Sequence, residues 1–140
     1  MNNQIYTCLW SDGKAKEMAE YYCSIFSNSK ILGVNPVVVN FELNDTKFMA
    51  LNGGPMYKFS PATSFVIECE TQEEIDHYWN HLGKDGKYNR CGWLDDKFGV
   101  TWQVVPKILG KLMSDPEKSS RVMQAFMKMT KFDIEALLNA

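Results

Sequence analysis

The sequence predicts an α+β domain made from a repeated unit of strand, helix and further strands, closed by a helical tail. Three observations carry this. Strand and helix periodicities alternate along the chain, the pattern restarts after a shift of 57 residues, and the last stretch holds helical signals. Under that shift Glu17 to Tyr22 falls on Glu74 to Trp79, Thr7 on Ser64 and Leu9 on Val66. A lone unit would leave one sheet face bare, so two must associate to hide it.

Each element has its own signal. Ile5 to Trp10 is short and apolar and stops at Ser11-Asp12-Gly13, which reads as a strand and a turn. Ala15, Met18, Ala19, Tyr22 and Phe26 recur at helical spacing, with Asp12 or Ser11 placed to cap that helix. Val37, Val39, Phe41 and Leu43 alternate with Val38, Asn40 and Glu42, the mark of a strand with one wetter face. Asn44-Asp45 makes the turn into a hairpin partner, Lys47 to Asn52, which Gly53-Gly54-Pro55 ends.

The second round opens with a strand, Thr63 to Cys69. Thr71-Gln72-Glu73-Glu74 is a capping box, and Ile75, Tyr78, Trp79 and Leu82 form the buried stripe of the helix that it starts. Gly83 ends the helix, and Val100 to Val105 is a closing strand. In the tail, Asp115-Pro116 is a helix start and Val122, Met123, Phe126 and Met127 share a face that docks the tail on the body, with a subunit contact as the alternative. Asp133 to Leu138 is a short last helix.

The chain has 140 residues, 45% hydrophobic and 23% charged, with a formal net charge of −2. That supplies a real core and gives no electrostatic case for a nucleic-acid or acidic-membrane partner. No apolar run is long enough to span a bilayer, and no basic stretch followed by an apolar run opens the chain, so no signal peptide is expected. Cys8, Cys23, Cys69 and Cys91 form no Cys-x-x-Cys pair and read as free thiols of a cytoplasmic protein.

Several blocks together resemble the PhnB-like family of the vicinal-oxygen-chelate superfamily, often labelled demethylubiquinone 3-methyltransferase-like. They are Cys8-Leu9-Trp10 with Asp12-Gly13, Ala50 to Pro55, Thr71 to Glu74 with Tyr78-Trp79, and Cys91-Gly92-Trp93-Leu94 through Trp102-Gln103-Val104-Val105-Pro106. The likeness spans nearly the whole chain. It implies paired βαβββ modules curling around a cavity, at about 1–60 and 61–106, with a helical tail at 107–140. Ser11 departs from the pattern, where an aromatic is expected.

In metal-using relatives such as glyoxalases, four inward side chains bind a divalent ion. Carried over by resemblance, those positions fall on Thr7, a residue near Asn52, Ser64 and Gln103. Hydroxyls and amides hold divalent ions weakly, so no metal and no other cofactor is expected. The expected function is binding of a small organic ligand in a cavity lined by Thr7, Asn52, Ser64, Trp93 and Gln103, by a protein that is a homodimer. No catalytic residue is identified. The alternative is an enzyme, either a methyltransferase as the family label says or a metal-assisted lyase or isomerase.

Other constellations read as structural. Glu73, His77 and His81 have ligand spacing, but the stripe of that helix turns the histidines to water. Asn52-Gly53-Gly54 lacks the lysine and helix start of a phosphate loop, and no glycine-rich strand-to-helix turn offers a conventional methyl-donor site. Asp95 and Asp96 read as solvated turn acids, Trp102 as core, and Trp93 as either packing or a stacking wall.

Overall fold

A computed structural model describes all 140 residues, which divide into two compact units, Met1–Lys58 and Phe59–Ala140. The first unit runs β1 (Thr7–Ser11), α1 (Ala15–Ile25), β2 (Ser29–Val34), β3 (Val38–Leu43) and β4 (Thr46–Asn52). Its sheet order is β1-β4-β3-β2, with β1 parallel to β4 and the other pairs antiparallel. The parallel pair joins the first strand to the last, leaving the helix to cover one face.

That face is apolar because every second residue of β3 and β4 is. Val39, Phe41, Leu43, Phe48 and Ala50 are buried, and Phe41 stacks on both Phe48 and Tyr22 of α1. Burying each large ring of this set contributes about 1.5–3 kcal/mol. Asn44 and Asp45 both have positive φ, 49° and 65°, which suits the twist of the β3–β4 hairpin. The start of α1 takes no cap from its own flanking residue, Lys14. Ser11 Oγ accepts from Lys14 N, as its place before the helix predicts, and Asn52 Oδ1 accepts from Ala15 N.

The second unit repeats the order. β5 (Phe65–Cys69), α2 (Gln72–Gly83), β6 (Lys87–Tyr88), β7 (Trp93–Asp95) and β8 (Thr101–Pro106) form a sheet ordered β5-β8-β7-β6, again with the outer pair β5–β8 parallel. Each unit is therefore a βαβββ module. The capping box is present at Thr71 and Glu74. The helix buries Ile75, Trp79 and Leu82 against Leu94, Trp102 and Val104, and Trp79 stacks on Tyr88. Three strands carry no clear sequence signal: β2, broken by a bulge between Ile31 and Gly33, and the very short β6 and β7.

The tail folds as α3 (Ile108–Met113), α4 (Ser119–Phe126) and α5 (Ile134–Leu138). Asp115 starts a turn, its carboxylate accepting from Glu117 N, and α4 proper begins after it. Docking falls to other residues than the methionines. Val122, Phe132 and Leu137 are buried, while Met123 and Met127 are 44% and 54% exposed. Gln72 ties the tail to α2, its Nε2 donating to Phe132 O and its Oε1 accepting from Ile134 N.

Candidate ligand-binding site

The face of the second sheet turned away from α2 carries the polar residues. Strand alternation puts Phe65, Leu94, Trp102 and Val104 on the α2 side, so Val66, Glu68, Trp93, Asp95, Thr101, Gln103 and Val105 lie on the other. Gln103 sits at its centre, in register with Val66 of β5 and Trp93 of β7. Val66 is 55% exposed, Gln103 and Trp93 are half-buried, and Thr101 is buried.

Ser64 precedes β5 on the same phase, and Gln103 Nε2 donates to its Oγ at 2.9 Å. That is the only partner of either side chain. Gln103 Oε1 is left as a free acceptor, and the second Nε2 hydrogen and the Ser64 hydroxyl hydrogen as free donors. Farther along the face, Thr101 Oγ1 donates to Asp95 Oδ1 at 2.7 Å. The half-buried indole of Trp93 stands beside the amide.

Ser64, Trp93 and Gln103 are thus brought together. Thr7 and Asn52 are not on the corresponding face of their own sheet. Thr7 pairs with Phe48 and Ser11 with Asn52, and the Phe48 face is the one that α1 covers. Asn52 is moreover occupied: its Oδ1 accepts from Ala15 N and from Ser11 Oγ, and its Nδ2 donates to Pro36 O. The reason is a one-residue slip, which sends every side chain of a strand to the opposite face. A shift of 57 aligns the buried residues of the helices, Met18 with Ile75 and Tyr22 with Trp79. The parallel strand pairs instead open at Thr7 and at Phe65, so Ser64 answers to Tyr6.

The face of the first sheet turned away from α1 has Cys8, Trp10, Asn40, Met49 and Leu51 instead. Met49 takes the place that Gln103 has in the second sheet. Asn40, its neighbour on β3, supplies the amide here, and its Oδ1 is buried with no hydrogen-bond partner. Trp10 is held by the chain after β4: its Nε1 donates to Gly54 O at 2.8 Å, and Tyr57 meets it edge-on. Its indole lies so close over Gly53 that any side chain there would collide with it.

Asp96 is a second departure from expectation. It is buried, not solvated, its Oδ1 accepting from Phe98 N and Val100 N and its Oδ2 from Trp102 Nε1. The carboxylate thus fixes the turn that delivers β8 and satisfies the one polar atom of a core tryptophan. His77 and His81 are exposed, with His81 Nδ1 2.7 Å from His77 O on their own helix. Burial pushes the Cys69 thiol up to about 12, with the Glu74 charge adding to it, so that sulfur is inert at neutral pH.

Neither of these faces offers a divalent-ion ligand set. Gln103, Ser64, Asn40 and Met49 are neutral, Glu68 and Asp95 lie apart on opposite sides of Gln103, and no three His, Cys, Asp or Glu side chains converge anywhere in the chain. The residues present do not fit the resident metal that glyoxalase relatives use.

Comparison with known proteins agrees with this architecture. The family model described as 3-demethylubiquinone-9 3-methyltransferase matches residues 3–105. Among solved structures, a PhnB protein from Bacillus cereus is 32% identical, with a TM-score of 0.69, over 74% of this chain and 99% of that one. Protein PA1353 from Pseudomonas aeruginosa is 17% identical, with a TM-score of 0.64, over 75% and 98% of the two chains. The fosfomycin resistance protein FosX from Listeria monocytogenes shares the fold at 11% identity and a TM-score of 0.55, over 74% and 90%. No curated protein matches the chain. With a family model over most of its length and two βαβββ modules, the chain belongs to the PhnB-like family of the glyoxalase, or vicinal-oxygen-chelate, superfamily.

Proposed function

We propose that the protein binds a small organic molecule on the face of the second sheet turned away from α2, without a metal ion. The carrying observation is the Gln103–Ser64 pair, an amide and a hydroxyl bonded to each other at 2.9 Å and otherwise unpartnered. Such a pair presents one acceptor and two neutral donors side by side, enough to orient a polar head, while Trp93 and Val66 offer apolar surface to its body. Nothing on this face is an evident general base: Asp95 already accepts from Thr101, and Glu68 is exposed near the end of β5.

The test is a screen of small organic compounds by ligand-observed NMR against the native protein and Gln103→Leu. Leucine removes both amide functions while keeping a side chain of similar length. Compounds that bind the native protein should lose most of their affinity for the variant. Hits that bind both equally would contradict the site.

A second reading follows from the family description, which names a methyl transfer. The chain has no glycine-rich strand-to-helix turn to hold a methyl donor in the usual way. A rise in melting temperature with S-adenosylmethionine would favour this reading over simple binding.

A further inference from the structure

We infer that the ligand of this face is neutral or cationic, carries a hydrogen-bond donor, and is not an oxyanion. The inference rests on the reading of Gln103 and Ser64 as the binding pair, and two independent features carry it.

The first is the hydrogen-bond inventory. One Nε2 hydrogen of Gln103 is committed to Ser64 Oγ, which leaves the carbonyl oxygen as an acceptor and the second Nε2 hydrogen as a donor for an incoming group. The free donors of the pair, that second hydrogen and the Ser64 hydroxyl, are both uncharged. Strong recognition of a carboxylate or phosphate calls for charged or multiple aligned donors, and here an oxyanion would meet no cationic donor, two neutral ones and a repelling carbonyl oxygen. A group with N–H donors, such as a carboxamide or an amidinium, satisfies Oε1 directly, and the carboxamide oxygen also accepts from the neutral donors of the pair.

The second is charge. Glu68 lies two residues from Val66, the register partner of Gln103 on β5, and Asp95 lies two residues from Trp93, its partner on β7. Both are on the Gln103 face, at diagonal positions that stand about 7–8 Å away in a sheet. Carboxylates thus flank the amide along both neighbouring strands. The basic residue in register on that face, Lys87, is opposite Asp95 on the edge strand β6, a strand farther from Gln103, and forms no ion pair with it. Two negative charges at this range repel an anion and attract a cation, more so where the ligand displaces water.

Three probes of one shape separate the possibilities: benzamide, benzamidine as its cation, and benzoate. Binding is followed by the side-chain amide resonances of Gln103 in the native protein. Benzamide and benzamidinium should move those resonances, and benzoate should bind at least about tenfold more weakly, about 1.4 kcal/mol. In Glu68→Gln, an exposed site where the fold is not at risk, benzamidinium should lose its advantage over benzamide, as it should at high salt. Benzoate binding at Gln103 as tightly as benzamide would overturn the ligand class and leave the site standing. An unchanged ranking in Glu68→Gln would overturn the charge argument. If none of the three moves the Gln103 resonances at millimolar concentration, the site and the class fall together.

Discussion

The side-chain oxygen of Asn52, the last residue of β4, accepts the amide of Ala15, the first residue of α1, at 2.9 Å. A residue placed by family likeness in the binding cavity is therefore the cap of a helix. It also holds Pro36 O through Nδ2, tying three segments of the first unit together. Asn52→Ala should destabilise the protein by about 2 kcal/mol, read as a lower urea midpoint with an unchanged slope. Ligand affinity at Gln103 should not change, and a loss of affinity without a loss of stability would contradict the capping role.

The buried Asp96 carboxylate and the Trp102 indole, 2.9 Å apart, should behave as a coupled pair. Asp96→Ala leaves three donors unsatisfied and should cost at least about 3 kcal/mol. Trp102→Phe removes one of those donors, so a double-mutant cycle should show a coupling of about 1.5–3 kcal/mol. Additive effects would mean that the indole is satisfied elsewhere.

The tail carries a pH-sensitive tie. Lys131 hydrogen-bonds Asp76 at 2.8 Å and Gln72 does so at 3.1 Å, and together they hold that carboxyl below its ordinary 3.8. A depressed carboxyl contributes its stabilisation in full above its unfolded value and loses it as pH falls through and below 3.8. Both partners are partly exposed, so the contribution is at most about 1 kcal/mol and shrinks with salt. Asp76→Asn should flatten the acid limb of the stability curve below about pH 5. An unaltered acid limb would show that the pair contributes nothing.

Asn40 has a buried acceptor with no partner, a cost with no structural return in the first unit. Asn40→Val replaces it with an apolar, strand-favouring side chain and should raise stability by about 1 kcal/mol, seen as a higher melting temperature. A lower melting temperature would mean that the amide is satisfied by something the chain alone does not supply.

Much of the fold could be read from residue order. The alternation through Val39, Phe41 and Leu43, the Asn44-Asp45 turn and the Thr71–Glu74 capping box are local signals, and local chemistry decides them. β2 and β7 escaped because a bulge interrupts one and three residues are too few for the other to show a period. Gln103, Ser64 and Trp93 were legible because alternation within β8 fixes their phase against the core Trp102. Thr7 and Asn52 were misplaced because the spacing between strand and helix differs by one residue between the units, which no single shift can represent. Whether Asp96 is solvated depends on an indole six residues on folding back over it, and turn composition does not encode that.

The pairing of Gln103 with Ser64 as a ligand clamp is tested most directly by a crystal structure of the protein soaked with benzamide. The account predicts density for the amide head within hydrogen-bond distance of both Gln103 Oε1 and Ser64 Oγ, with its ring against Trp93. Density for the compound elsewhere, with that face holding only water, would contradict it.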